Sequence, residues 1–163
     1  MKNIAFFILS LLFISCNTNA QSKKEKEIFP ITKTEAQWKE TLSSKEYYVL
    51  REKGTERAFS SDLNKISDKG TYVCAACSTP LFKSEYKYDS GSGWPSFDRE
   101  IEGNVAFSTD KDLGYTRTEE HCATCGGHLG HVFNDGPSKT TGERHCINGV
   151  ALKFIPIKTL NEK

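Results

Sequence analysis

The chain carries no surplus of charge: its 163 residues balance to a formal +1 at neutral pH. A near-neutral surface gives no electrostatic footprint for nucleic acid, so no nucleic-acid partner is expected. Low-complexity blocks are absent, and nothing repeats beyond a doubled cysteine motif. The apolar run from Ile4 to Ile14 is too short to span a bilayer and has the length of a signal-peptide core. Apolar and charged fractions are ordinary for one globular domain, which excludes disorder and a membrane bundle.

What is present begins with export. Lys2 precedes the apolar run, which ends in "LLFISC". That ending resembles the lipobox of bacterial lipoproteins, in which the cysteine is lipid-modified and becomes the mature N-terminus; Phe13 departs from the leucine usual there. The rival reading is ordinary cleavage near Ala20 in "NTNAQ". Residues 1–20 are therefore expected to be a signal peptide, with Cys16 as the lipid anchor in the first case. Either outcome places the mature protein in the bacterial cell envelope or outside it. Residues 21–32 read as a polar tether, and 33–160 as the folded domain, expected to be a monomer.

Thr34 with Gln37, and Ser43 with Glu46, are spaced as two capping boxes. They predict two short amphipathic helices, the second stopping at Gly54. Beyond Gly70 the texture changes to short runs rich in Val, Tyr, Phe and Thr, broken by Gly, Asp and Asn: "GTYVC", "EYKYD", "NVAFST", "LGYTRTEE", "HLGHVF" and "VALKFIPI". The expected fold is mainly β, antiparallel, preceded by two small helices.

Cys74, Cys77, Cys122 and Cys125 form a CxxC…CxxC pattern. Two such knuckles brought together make the closed tetrahedral thiolate site that zinc favours, with one ion serving structure and no open position for water. Two disulfides, or one redox-active pair, are the alternatives in an exported chain. One cysteine is left over: Cys146 in "GERHCINGVAL". A neighbouring cation lowers a thiol pKa, so Arg144 marks it as reactive; a buried structural cysteine is the competing reading. In a strand, alternation places Arg144, Cys146 and Asn148 on one face and His145 on the other. His128 and His131 in "GGHLGHVFNDG" fit three roles: backbone-satisfied side chains, metal ligands, or a proton donor near a thiol. "YDSGSGWPSF" is a loop by its Gly and Pro content, yet it carries Trp94.

Taken together, "CAACSTPLF", "YDSGSGWPSF", "CATCGGHLGHVFNDGP" and "TGERHCINGVALKF" resemble the type-B methionine sulfoxide reductases from about Thr34 to Ile157. The resemblance implies two antiparallel β-sheets stapled by a structural zinc. It implies reduction of methionine-R-sulfoxide, free or in oxidised proteins, through a sulfenic acid on Cys146. It also implies His131 as proton donor with His128 beside it, Arg144 as the cation favouring thiolate, Asn148 as a polar orienting group and Asp135 as a pocket acid. Trp94 would receive the S-methyl group, with Phe133 as a further apolar wall. Two positions depart. His145 stands where the family usually has Tyr or Phe, and Ser92 stands where many members carry a resolving cysteine. A thioredoxin-like or other external thiol is then expected to reduce Cys146. A zinc-ribbon binding module and a CxxC thiol-disulfide oxidoreductase are the competing functions.

Overall fold

Both capping boxes close. In the computed structural model, which describes residues 28–111 and 114–157, the Thr34 hydroxyl accepts from the Gln37 N–H while the Gln37 side chain accepts from the Thr34 N–H. Ser43 and Glu46 repeat the arrangement. The helices they start, α1 (Glu35–Thr41) and α2 (Ser44–Leu50), are too short to persist alone. Tertiary burial of Trp38, Val49 and Leu50 holds them. The expected stop at Gly54 is corrected: α2 ends at Leu50, and Lys53 rather than Gly54 takes the left-handed turn, at φ 58°. Gly54 is glycine for space, because a Cβ there would lie 2.2 Å from the Tyr48 ring. The signal segment 1–20 with Cys16, and residues 21–27 of the tether, lie outside the described residues.

Among the described residues nine strands follow: β1 (Gly70–Cys74), β2 (Pro80–Lys83), β3 (Lys87–Tyr88), β4 (Ser96–Phe97), β5 (Val105–Asp110), β6 (Arg117–Cys122), β7 (His128–Phe133), β8 (Arg144–Ile147) and β9 (Leu152–Pro156). They form a three-stranded sheet in the order β2-β1-β9 and a six-stranded sheet in the order β3-β4-β8-β7-β6-β5. Every described pairing is antiparallel. "EYKYD" is extended only in its second half, since Ser84–Tyr86 winds into one 3-10 turn.

The two sheets meet through Tyr72, Phe82 and Phe97, all fully buried. Phe82 stacks on Phe97 at 4.3 Å between centroids, and Tyr72 meets Phe97 edge-on at 5.0 Å. Burying each such ring contributes about 1.5–3 kcal/mol. Phe97 comes from β4 and Ile147 from β8, so this core lies against one face of the six-stranded sheet. The opposite face is left for other uses. Gly130 sets the spacing of the central pair: a Cβ there would lie 2.0 Å from the Cys146 carbonyl oxygen, so β7 and β8 approach closely only because position 130 has no side chain.

Candidate active site and metal centre

Strand β8 lies between β4 and β7, with Cys146 opposite Ser96 on one side and His131 on the other. His131 in turn stands opposite Glu119 on β6, and Glu119 opposite Ser108 on β5. By alternation this row shares one face of the sheet, and His145, between Arg144 and Cys146, faces the other way. The expected separation of Cys146 from His145 therefore holds.

The loop between β3 and β4 brings further groups to this face. Ser92 Oγ lies 4.0 Å from Cys146 Sγ, and the Ser90 hydroxyl links Ser92 (2.8 Å) to Ser96 (2.7 Å). Gly91 and Gly93 make this turn possible at φ 70° and 92°. Trp94 is half-buried, and its indole N–H donates to the Glu56 carbonyl at 3.2 Å.

Glu56 did not stand out in the sequence, yet it gathers this region. Its carboxylate accepts from the Gly149 and Val150 N–H groups at 2.7 and 3.0 Å, and its own N–H donates to Asn148 Oδ1 at 2.9 Å. Asn148 is thus placed differently from the strand expectation. β8 ends at Ile147, and Asn148 precedes the 3-10 turn Gly149–Ala151. Its buried amide donates to the Leu129 carbonyl and accepts from Glu56. It braces Glu56, whose carbonyl accepts from the indole.

The histidines are held by carboxylates from neighbouring strands. His128 Nδ1 bonds Glu119 at 2.8 Å, while Lys53 Nζ and Ser108 Oγ donate to the other Glu119 oxygen at 2.6 and 2.9 Å. Burial alone would raise the Glu119 pKa, but these three partners outweigh it and hold the carboxyl well below its ordinary range. His131 Nε2 bonds Asp110, which also receives a two-point contact from Arg117. Burial leads in pushing the His131 pKa down, so its imidazole is neutral at pH 7. Glu119 and Asp110 were missed in the sequence. Their signal was period-two spacing in "VAFSTD" and "RTEEHC", which becomes informative only once strand order is known.

Arg144 binds Asp135 through two bonds, at 2.8 and 2.9 Å, and lies 4.5 Å over the Phe133 ring. The expectation that Arg144 lowers the Cys146 pKa holds in sign, but burial outweighs it. Desolvation dominates and raises the thiol, while Arg144 and Ser92 pull it down by less. Burial therefore leaves Cys146 as a thiol, and the two bonds from Arg144 to Asp135 share the guanidinium charge.

The four remaining described cysteines converge. Their ligand atoms lie within 4.8 Å of one another, with Cys74–Cys125 at 3.8 Å and Cys77–Cys122 at 3.5 Å, and all are free of disulfides. A tetrahedron with ~2.3 Å metal–sulfur bonds has edges of about 3.8 Å, so the set fits one metal ion. The two knuckles share one hydrogen-bond pattern. Cys74 N–H donates to Thr79 O and Ser78 N–H to Cys74 O; Cys122 N–H donates to Gly127 O and Gly126 N–H to Cys122 O. Ser78 (φ 62°) and Gly126 (φ 67°) take the same left-handed position. One pair ends β1 and the other ends β6, so the cluster ties the two sheets together.

Replacing Asp135 by Asn leaves Arg144 unbalanced beside Cys146, and the thiol pKa falls. The expected readout is the pH dependence of Cys146 alkylation. In the native protein its midpoint lies above the ordinary ~8.5 of a free thiol. In Asp135→Asn it moves to lower pH, and an unchanged or higher midpoint contradicts the account.

The SelR domain family matches residues 42–156. Peptide methionine sulfoxide reductase MsrB of Leptospira interrogans is 54% identical over 127 residues, covering 77% of this chain and 96% of that protein. The protein of the same name from Agrobacterium fabrum is 48% identical over 128 residues, covering 78% and 94%. Mouse mitochondrial methionine-R-sulfoxide reductase B3 is 42% identical over 143 residues, covering 87% of this chain and 56% of its own length. The chain, with its thiol set among carboxylate-held histidines and its four-cysteine staple, belongs to the SelR domain family.

Proposed function

We propose that the chain is a peptide-methionine (R)-S-oxide reductase with Cys146 as its nucleophile. The observation that carries the reading is the register of β8, which sets Cys146 opposite His131 on the face where the Ser92–Trp94 loop arrives. As Cys146 sulfur attacks the sulfoxide sulfur, the thiol proton passes to the sulfoxide oxygen, with neutral His131 across the strand pair as the relay. The oxygen then moves to Cys146, methionine leaves, and a sulfenic acid remains. Trp94 and Phe133 wall the methyl end of the substrate. Arg144 and His128 supply fixed polar groups, and Asp135 positions Arg144.

The four-cysteine centre takes one zinc ion. Zinc there would join the sheets and supply no open coordination position. The decisive assay uses separate R and S epimers of methionine sulfoxide. Wild type reduces the R epimer; Cys146→Ser loses turnover while keeping one zinc per chain and its unfolding temperature. Activity on the S epimer alone, or full activity in Cys146→Ser, rules the assignment out. Redox titration of a zinc-free CxxC pair would favour the thiol-disulfide oxidoreductase instead.

Ser92 cannot form a disulfide, and the other described thiols belong to the metal centre. Sulfenic acid on Cys146 is therefore reduced from outside. One thiol of a thioredoxin-like donor condenses with it, releasing water and leaving a mixed disulfide. A second thiol then displaces Cys146. After one turnover without reductant, the wild type stays at the sulfenic acid and reacts with a sulfenate trap. In Ser92→Cys, a disulfide forms between position 92 and Cys146, because a gap of 4.0 Å between Oγ and Sγ flanked by two glycines closes to the ~2.05 Å of an S–S bond. An internal disulfide in wild type would end the external-thiol reading.

The apolar run after Lys2 and the cysteine at position 16 support repair of oxidised proteins in the cell envelope. In a bacterial host the full chain is expected in the membrane fraction with a lipid label. Cys16→Ser should lose both, and a wild-type chain that stays unlabelled in the cytosol refutes the export reading.

A further inference from the structure

Three serine hydroxyls stand in series beside Cys146. Ser90 Oγ lies 2.8 Å from Ser92 Oγ and 2.7 Å from Ser96 Oγ, and the Ser96 hydroxyl donates to the Trp94 carbonyl at 3.1 Å. Ser92 Oγ, at the open end, lies 4.0 Å from Cys146 Sγ. Ser96 is 1% exposed and pairs with Cys146 across β4 and β8, so one end of the chain is anchored in the sheet. Ser90 and Ser92 are half-buried on the loop.

The carbonyl sets the direction of the chain. It can only accept, so it takes the single proton of Ser96; Ser90 then donates to Ser96, and Ser92 to Ser90. The backbone agrees with this direction. Ser92 N–H donates to Ser90 Oγ at 3.3 Å and Trp94 N–H to Ser92 Oγ at 3.5 Å, each filling an acceptor position that the chain leaves open. Ser92 therefore turns a lone pair toward Cys146, and the resting thiol is the donor that meets it.

We infer that this chain holds the sulfenic acid of Cys146 in its neutral form, with Ser92 accepting the proton on the sulfenic oxygen. The inference rests on Cys146 as the nucleophile. The gap of 4.0 Å admits the new oxygen, since an S–O bond and an O–H···O bond of ~2.7 Å span it with a bend at that atom. Two reactions compete for the product. A donor thiolate attacks the sulfur of the neutral acid, an S–S bond forms, and the oxygen leaves as water with its own proton and one from solvent. The ionised form instead attacks an oxygen of hydrogen peroxide, the O–O bond breaks, and sulfinate and water result. Without a cysteine at position 92 the sulfenic acid waits for its donor, and keeping its proton favours the first route over the second.

A thiolate on Cys146 has no proton to offer and turns the chain round. Ser92 then donates, which is its downward pull on the thiol pKa; oxidation restores the first direction. Ser92 touches the reacting oxygen, while Ser90 and Ser96 are positioning residues. The charged and titratable groups around Cys146 are Arg144 with Asp135, His131 and His128 of β7 with Asp110 and Glu119, Tyr88 of β3 and Glu120 of β6. No hydroxyl of the chain bonds any of these, so a change confined to the serines reports the chain itself.

The test follows further oxidation of the full-length protein. One equivalent of hydrogen peroxide forms the sulfenic acid without methionine sulfoxide; excess peroxide then converts it to sulfinic acid, read from the mass of the Cys146 peptide over a pH series. The rate rises as the sulfenic acid ionises. Its midpoint is expected to fall by about one pH unit in Ser92→Ala, the scale of one lost hydrogen bond. Ser90→Ala, which leaves the residue facing Cys146 in place, moves it the same way, because Ser92 loses its acceptor and is freed to donate. Ser92→Thr keeps the hydroxyl and the native midpoint. An unchanged or higher midpoint in Ser92→Ala, a shift in Ser92→Ala with none in Ser90→Ala, or a Ser92→Thr midpoint as low as that of Ser92→Ala overturns the inference. Failure of the reductase assignment is seen separately, as no methionine from the R epimer in a single turnover.

Discussion

The alternation of side chains along β8 is the constraint on which the rest depends. Four residues in extended conformation, with β4 on one side and β7 on the other, send Cys146 to one face and His145 and Ile147 to the other. Ile147 enters the core with Phe97 and Leu129, so the register is fixed by burial: a slip of one residue would expose Ile147 and bury Cys146 in apolar surroundings. The chemistry of the open face is thus anchored by the packing of the closed one. Gly130 completes the arrangement by letting β7 come close at the same point.

Each of the three histidines on β7 and β8 leans on a carboxylate from another strand: His128 on Glu119, His131 on Asp110, His145 on Glu120. A carboxylate beside an imidazole orients the ring and chooses which nitrogen carries the proton. The outcomes still differ. Desolvation wins at His131, where Arg117 already satisfies Asp110, and the ring stays neutral. Glu120 wins at His145, with Glu100 and Glu143 adding to its pull on the ring proton. The same reasoning explains Cys146, whose nearest cation is balanced by Asp135 and whose burial is not. Proximity of a positive residue in sequence measures distance alone; its effect depends on what else that residue binds.

This is also where the sequence stops being legible. Local rules carried well. Capping boxes placed both helices, cysteine spacing placed both knuckles, and alternation separated Cys146 from His145. Pairings across the sheet were hidden, because Glu119 and Asp110 become partners of His128 and His131 only through strand order. Glu56 was hidden more deeply. Its carbonyl holds Trp94, its N–H holds Asn148 and its carboxylate caps the turn after β8, so three distant segments meet at one residue in a stretch without regular secondary structure. Asn148 shows the reverse error: strand alternation was extended one residue past the point where the strand ends.

The network around Glu56 bears on how Ser92 is tolerated. The indole of Trp94 is held from the Glu56 side, and the Gly93 carbonyl accepts from Phe59 N–H at 2.7 Å and from Asn64 Nδ2 at 2.8 Å. None of these bonds involves the side chain at position 92. The Ser92 hydroxyl is turned toward Ser90 and Cys146, and also accepts a long bond from the Trp94 N–H at 3.5 Å. The loop therefore keeps its shape through backbone and indole contacts. On the proposed mechanism, binding and oxygen transfer use Cys146, His131 and Trp94, and resolution of the oxidised cysteine needs a separate thiol. On that reading the first half of the reaction proceeds without an internal thiol at position 92, and Cys146, only partly buried, is the group an external donor must reach.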